Sequence, residues 1–225
     1  MISTRGSTRA VLFDLDGTLL DTAPDMVGAL NALRGQESRD PLRFEEVRPF
    51  VSHGAKALVG LGFPEADGAV FERLRTRFLE IYRSRLSLET RLYDGVGEAL
   101  THLESAGISW GIVTNKPRWL TEPLLRHFAL QDRAGVVVSG DTLAQRKPHF
   151  APLLYAAEKL GAAPADCIYV GDAERDVLAA QSAGMSVFVA LFGYIPADER
   201  PRDWPAHGWL DTAAAMARWL RSLGP

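Results

Sequence analysis

Short runs of apolar residues, each stopping at a polar or charged residue, recur along this chain and do most to limit its fold. The first is Ala10-Val11-Leu12-Phe13. Later come Ile112-Val113 after Trp110, Val136-Val137-Val138, Ile168-Tyr169-Val170 and Val187-Phe188-Val189-Ala190-Leu191. Continuous rather than alternating apolar character is what a strand needs when both of its faces are covered. Between the runs lie helical patterns closed by glycine: Val96–Ala106 before Gly107, Pro152–Leu160 before Gly161, and Val177–Ala183 before Gly184. Glycine supplies the left-handed residue that ends a helix. Strands alternating with helices specify βαβ units and a mostly parallel sheet. Leu210–Leu223 reads as a closing helix, with Trp219 and Leu220 available for packing.

One interval breaks the alternation. From Thr22 to Leu92 the pattern is helical without a convincing strand. That is roughly 70 residues, against about 2–6 for an ordinary βα connection. Within it, Phe71, Leu74, Phe78, Ile81 and Tyr82 fall on one helical face and leave the arginines on the other, which describes an amphipathic surface helix better than a nucleic-acid contact. The economical reading is a small helical subdomain inserted after the first strand and closing near Tyr93-Asp94-Gly95. A length of 225 residues suits one domain carrying such an insertion.

Composition narrows the function classes. The formal charge of −3 gives no electrostatic reason to expect a nucleic-acid or anionic-membrane partner. The single cysteine, Cys167, cannot make an internal disulfide. No apolar run approaches the roughly 18 residues that span a bilayer, and Met1–Arg9 is polar, without the apolar core of a signal peptide. The expectation is a soluble, cytoplasmic protein with no membrane or nucleic-acid partner.

Some motif matches carry no chemistry. Gly107-Ile108-Ser109-Trp110-Gly111 fits the serine-hydrolase elbow G-x-S-x-G, but here a helix precedes and a strand follows, the reverse of what the elbow requires. Gly95-Val96-Gly97 lacks the third glycine of a dinucleotide loop and follows a turn. The five histidines, His53, His102, His127, His149 and His207, are too dispersed for a short zinc motif.

The strand ends are more informative. Asp14 and Asp16 follow the first run directly, and residues two apart in an extended chain face one way, with Leu15 turned into the core. Asp172 sits where the Ile168–Val170 run stops, with Asp176 in the first turn of the next helix. If those two strand ends are neighbours, several carboxylates converge and repel one another unless a cation fills the site. A donor set of hard oxygens without Cys or His suits Mg²⁺. Thr114 and Asn115 offer a hydroxyl and free backbone amides where another strand stops, suited to phosphate oxygens, and Lys147 brings an ammonium to the same sheet edge. In open α/β sheets that edge is where ligands bind.

At these residues the chain resembles the haloacid dehalogenase superfamily of phosphotransferases over nearly its whole length. Asp14-Leu15-Asp16-Gly17-Thr18 corresponds to the family's first motif, Thr114-Asn115 to the second, Lys147-Pro148 to the third, and Gly171-Asp172 through Asp176 to the fourth. The resemblance implies an α/β, Rossmann-like parallel-sheet core at 1–21 and 93–225, with an inserted α-helical cap at 22–92. It implies that Asp14 attacks phosphorus and forms an aspartyl phosphate. Asp16 would protonate the leaving oxygen and then activate water, Thr114, Asn115 and Lys147 would hold the phosphate, and Mg²⁺ would be held by Asp14, Asp172 and the backbone carbonyl of Asp16. Asp176 would bind the metal through water or orient Asp172. Members that cleave carbon–halogen bonds lack the second acid, so Asp16 speaks against dehalogenation.

For substrate choice the candidate cap segment is Val51–Lys56, with Gly54 allowing close backbone approach and His53 and Lys56 able to meet a carboxylate or sugar hydroxyl. The pattern is similar to phosphoglycolate phosphatases. Ser52–Lys56 and Phe192-Gly193-Tyr194-Ile195 are also similar to N-acetylmuramic acid 6-phosphate phosphatases. The expected partner is a small phosphorylated metabolite. A sugar phosphomutase of the same fold and a catalytically silent binding module are the alternatives.

Overall fold

A computed structural model describes residues 8–224, so residues 1–7, most of the polar opening stretch, lie outside the described residues. The chain forms β1 (Ala10–Phe13) and β2 (Leu20–Asp21), then α1 (Ala23–Gln36), α2 (Phe44–Val47) with a 3-10 turn over Arg48–His53, α3 (Gly54–Gly62) and α4 (Gly68–Arg85). It returns through β3 (Arg91–Leu92), α5 (Val96–Ser105), β4 (Ser109–Val113), α6 (Arg118–His127), β5 (Val136–Val138) and α7 (Ala151–Lys159). The last elements are β6 (Cys167–Gly171), α8 (Glu174–Ser182), β7 (Ser186–Ala190), β8 (Gly208–Leu210) and α9 (Ala213–Leu220).

Six strands pair in the order β5-β4-β1-β6-β7-β8, and each pairing is parallel. This is the parallel sheet that the apolar runs predict, in the Rossmann-like α/β form that the family resemblance implies. β1 lies between β4 and β6, with Phe13 in register with Ile112 on one side and Val170 on the other. Its alternate residues feed two cores. Val11 and Phe13 pack with buried residues of α5, α6 and α9, while Ala10 and Leu12 pack with those of α7 and α8. The strand order reverses at β1, which makes its carboxyl end the ligand-binding crevice of such a sheet.

The helices from α1 to α4 build a third core around Leu30, Leu33, Val59 and Phe78, to which Leu120 and Tyr194 contribute from later in the chain. Of the predicted α4 face, Leu74, Phe78 and Tyr82 are buried and Phe71 and Ile81 half-buried. The arginines opposite pair with acids, Arg75 with Glu72 at 2.7 Å and Arg73 and Arg77 with Glu37. They form a solvated ion-pair surface. Among the described residues no helix is long and apolar enough to cross a membrane.

The path into and out of these helices is narrow. β2 and β3 pair antiparallel as a two-residue ladder, Leu20 with Leu92 and Asp21 with Arg91. Beside it, the buried Asp25 carboxylate accepts hydrogen bonds from the backbone N–H groups of Glu89 and Thr90 and from the Thr90 hydroxyl at 2.7 Å. The start of α1 is thereby tied to the segment leading back to the sheet.

Three local expectations need correction, the first being a strand-free Thr22–Leu92, which ends in β3 at Arg91–Leu92. Leu210 ends strand β8, and the closing helix begins only at Ala213, where the Thr212 hydroxyl accepts a hydrogen bond from the Ala215 N–H. A three-residue edge strand carries too little periodicity to be read. α8 begins at Glu174, before the expected Val177, because its first turn is polar. The pattern does not announce α6, since Pro123 falls inside it.

Candidate active site

Asp14 continues β1 by one residue, its backbone N–H donating to Val170 O at 2.9 Å. The chain then leaves the sheet. The Leu15 carbonyl accepts from Leu19 and Leu20, and Gly17 closes the turn at φ +81°. A Cβ at Gly17 would lie 2.2 Å from Asp172 Oδ2, so glycine is required both by its conformation and by close approach. On the other side, a Cβ at Gly193 would fall 2.3 Å from the Asp172 Cβ. Two glycines therefore leave the space in which the Asp172 carboxylate sits.

Carboxylate oxygens of Asp14, Asp172 and Asp176 all lie within 4.8 Å of one another, and all three residues are buried. Lys147 lies beneath them, its Nζ 3.0 Å from Asp14 Oδ1 and 2.8 Å from Asp176 Oδ1, and it donates to the Tyr169 hydroxyl at 2.7 Å. The Tyr169 hydroxyl in turn donates to Val113 O at 2.9 Å. Arg175 Nη2 stands 4.0 Å from Asp14 Oδ2. Asp176 Oδ2 accepts from the Ala173 N–H, the capping interaction of α8.

The electrostatics follow from this packing. Burial pushes the Asp14 carboxyl up, against the pull of Lys147 and with a further push from Asp176. Burial, then the Asp14 and Asp176 carboxylates, push Asp172 up to about 8. Burial also opposes ionisation of Asp176, but Lys147 and Arg175 outweigh it and hold that carboxyl below the usual range. Asp172 Oδ2 accepts from the Ser52 hydroxyl at 2.7 Å and the Tyr194 N–H at 2.8 Å, whereas its buried Oδ1 has no partner among the described residues. A converging set of hard oxygen donors, one of them orphaned and buried, is the chemistry that a small divalent cation satisfies. The three aspartates could hold a metal ion.

Asp16 is placed differently. Its carboxylate is outside the three-acid group, because the backbone has already turned away from strand geometry. Asp16 Oδ1 accepts from Lys116 Nζ at 2.8 Å and from the Thr22 hydroxyl at 2.7 Å. Lys116 Nζ also lies 2.8 Å from the Tyr82 hydroxyl, to which it donates. Burial works against the Lys116 charge, but Asp16 and Tyr82 more than offset it and raise its pKa.

Thr114 is buried at the end of β4, its Oγ1 accepting from the Lys116 N–H at 3.1 Å. The Asn115 side chain donates to Lys147 O at 2.9 Å and so joins the second and third motif segments. From the helical interval, Ser52 and not its neighbours reaches the acids. His53 Nε2 lies 3.3 Å from Glu199, and Lys56 is exposed. Gly54 is required by its φ of +75° at the start of α3; among the described residues a Cβ there would meet nothing within 4 Å, so close approach is not its role. Nearby, Arg48 donates to the carbonyls of Gly193 and Phe192 at 3.1 and 3.0 Å.

Lys116, Tyr82 and Arg175 were not singled out as site residues; Lys116 directly follows the Thr114-Asn115 segment and Arg175 lies inside the Gly171–Asp176 one, whereas Ser52 and Tyr194 lay in segments already singled out without being identified as the residues that reach Asp172.

Comparison with known proteins places residues 11–190 in the haloacid dehalogenase-like hydrolase family. The chain is 48% identical over 198 residues to a phosphoglycolate phosphatase of Xanthomonas campestris pv. campestris, covering 88% of this chain and 90% of that relative. It is 39% identical over 199 residues to an N-acetylmuramic acid 6-phosphate phosphatase of Pseudomonas aeruginosa, with 88% of each covered. Its fold is similar to the crystal structure of a predicted phosphoglycolate phosphatase from Haemophilus somnus, with a TM-score of 0.84, 27% identity, and 94% and 97% of the two chains covered.

Proposed function

This chain belongs to the haloacid dehalogenase-like hydrolases, and we propose that it is a Mg²⁺-dependent phosphatase that cleaves a small metabolite phosphoester through an aspartyl phosphate. The observation that carries this reading is the cluster of Asp14, Asp172 and Asp176 over a buried Lys147, with Asp16 held apart by its own donors. Asp14 and Asp172, with the backbone carbonyl of Asp16, would hold Mg²⁺, and Asp176 would orient Asp172 or reach the metal through water. When bound, Mg²⁺ supplies the positive charge that lets an anionic nucleophile approach an anionic ester.

The residues divide the work as follows. The Asp14 carboxylate bonds to phosphorus while the ester P–O bond breaks, and the departing oxygen takes the proton carried by Asp16. Water then gives a proton to the Asp16 carboxylate as its oxygen attacks phosphorus, releasing phosphate and the Asp14 carboxylate. Lys147, Thr114 and the Asn115 amide hold the phosphoryl oxygens and offset their charge, the largest contribution in phosphoryl transfer.

Residues 22–92 act as the cap over a core formed by 1–21 and 93–225. Substrate selection falls to the segment carrying Arg48, Ser52, His53, Gly54 and Lys56, of which Ser52 stands nearest the carboxylates. The preferred substrate is phosphoglycolate, as the name of the 48% identical relative supports. The second reading, N-acetylmuramic acid 6-phosphate, draws on the 39% identical relative.

The test is phosphate release from these two esters side by side in Mg²⁺, with Asp14→Asn as control. Faster turnover of phosphoglycolate supports the first reading and faster turnover of the sugar ester the second. Wild-type turnover no faster than that of Asp14→Asn overturns the enzyme reading.

A further inference from the structure

Lys116 is an enclosed ammonium outside the three-acid cluster. Its side chain is 5% exposed and that of Asp16, its one salt-bridge partner among the described residues, is 15% exposed. An apolar residue would serve stability at least as well, since enclosing two charges costs about as much as their attraction returns. The geometry around the pair suggests another use. Both donors to Asp16, Lys116 Nζ and Thr22 Oγ1, meet the same oxygen, Oδ1. Among the described residues Oδ2 receives no hydrogen bond, so the carboxyl group is fixed in rotation with one oxygen left over. Lys116 is itself fixed from α4: the Tyr82 hydroxyl stands 2.8 Å from Nζ, the ammonium lies over the Tyr82 ring at 4.6 Å, and Tyr82 is 1% exposed. One end of this chain of contacts is therefore in the helical interval and the other is at Asp16.

We propose that Lys116 and Tyr82 are positioning residues for the leaving-group proton transfer, holding Asp16 by Oδ1 so that Oδ2 is the oxygen presented to the departing ester oxygen. The inference rests on the phosphatase reading above and goes beyond it by assigning roles to two residues outside the family motifs. In the acid step the ester P–O bond breaks and its oxygen takes the proton from Asp16 Oδ2, leaving a carboxylate still anchored through Oδ1. Tyr82 makes that anchorage conditional on α4 being docked, so proton delivery is aligned only when the helical interval covers the site.

Proton delivery matters for a poor leaving group and little for a good one. The experiment therefore compares kcat/KM, which reports steps up to the first irreversible one, for p-nitrophenyl phosphate and for the faster of phosphoglycolate and N-acetylmuramic acid 6-phosphate. Tyr82→Phe, Lys116→Met and Lys116→Arg are assayed singly, and the first two also together. Tyr82→Phe is expected to lower kcat/KM for the alkyl ester about tenfold and for the nitrophenyl ester less than about twofold. Lys116→Met is expected to do the same more strongly, with partial rescue by Lys116→Arg. The double variant should be no worse than Lys116→Met, because both act through one contact.

Equal losses on the two esters, or no loss on either, overturn the inference while leaving the phosphatase reading intact. Wild-type protein no faster than Asp14→Asn on both esters overturns the two together. Tyr82→Phe removes a single hydroxyl from a ring that stays packed against Phe78, so it decides the matter even if Lys116→Met fails to fold.

Discussion

The ammonium of Lys147 lies 2.8 Å from Asp176 Oδ1, and neither side chain is exposed at all. One cation thus compensates two enclosed acids, since Asp14 Oδ1 is 3.0 Å away on its other side. Replacing Lys147 by Met leaves the pair only the more distant Arg175, 4.0 Å from Asp14 Oδ2. Breaking a buried pair from one side costs about 3–5 kcal/mol, and that loss of unfolding free energy should appear in urea denaturation. Added Mg²⁺ should recover part of it, because a cation bound by the same acids replaces the missing charge. An unchanged midpoint in the metal-free variant would contradict the compensation described.

The Asp172 carboxyl, pushed up to about 8, sets a pH dependence of known sign. An unfolded Asp releases its proton near about pH 3.9, so between about pH 4 and 8 the metal-free fold retains a proton that the unfolded chain has lost. Metal-free protein should therefore lose stability as pH rises through that window. Asp14, also raised, works in the same direction, and Asp176, lowered, has its window below it. Metal binding needs the ionised carboxylate and expels the proton, so Mg²⁺ affinity should climb by up to about tenfold per pH unit below about pH 8. Thermal shifts at fixed Mg²⁺ from pH 5.5 to 8.5 read this directly, and a gain in Tm independent of pH would refute it.

Gly193 bounds the space of the Asp172 side chain. A methyl group there would lie 2.3 Å from the Asp172 Cβ, which is not the yielding end of a flexible chain. Gly193→Ala should displace the carboxylate, weaken Mg²⁺ binding at least about tenfold and cost about 1–3 kcal/mol of stability, the usual range for overpacking. Calorimetric titration with Mg²⁺ checks the first effect and urea denaturation the second. Gly54→Ala is the contrast: its Cβ meets nothing, so strain from φ +75° should cost stability without altering metal affinity.

Arg48 fastens the 3-10 turn to the loop at Phe192 and Gly193 by two hydrogen bonds and lies 4.9 Å over the Tyr194 ring. Bonds from a charged donor contribute about 1.5–3 kcal/mol. Arg48→Ala should shift the balance away from the docked arrangement and raise KM for the alkyl ester roughly tenfold. The unfolding midpoint of the core should move little. Steady-state kinetics separate these effects, and a fall in kcat alone would argue against a docking role.

The sheet was legible because strands covered on both faces must be apolar throughout, and each of the five runs ends within one residue of a strand's end. Asp14, Asp172, Asp176 and Lys147 were legible because chemistry at this sheet edge restricts residue type. Asp16 was legible in type and not in placement. Strand geometry put it beside Asp14, whereas the turn around the Leu15 carbonyl carries its side chain to Lys116 and Thr22. For Ser52 the segment Val51–Lys56 was legible but not which of its residues meets the acids, and the role of Tyr82 was illegible, for a different reason. Their partners lie 120 and 34 positions away, and which residue of a helix meets them depends on how α1 to α4 dock.

The ladder of Leu20 with Leu92 and Asp21 with Arg91 has an evolutionary consequence. Because the chain departs and returns at adjacent points, everything between can be lengthened, trimmed or replaced without shifting the register of β1 against β4 and β6. Recognition of the organic part of a substrate and cleavage of its phosphoester can then diversify as separate variables. Tyr82, Ser52 and Arg48 are among the exceptions: a replacement insert would have to supply their hydrogen-bonding groups anew.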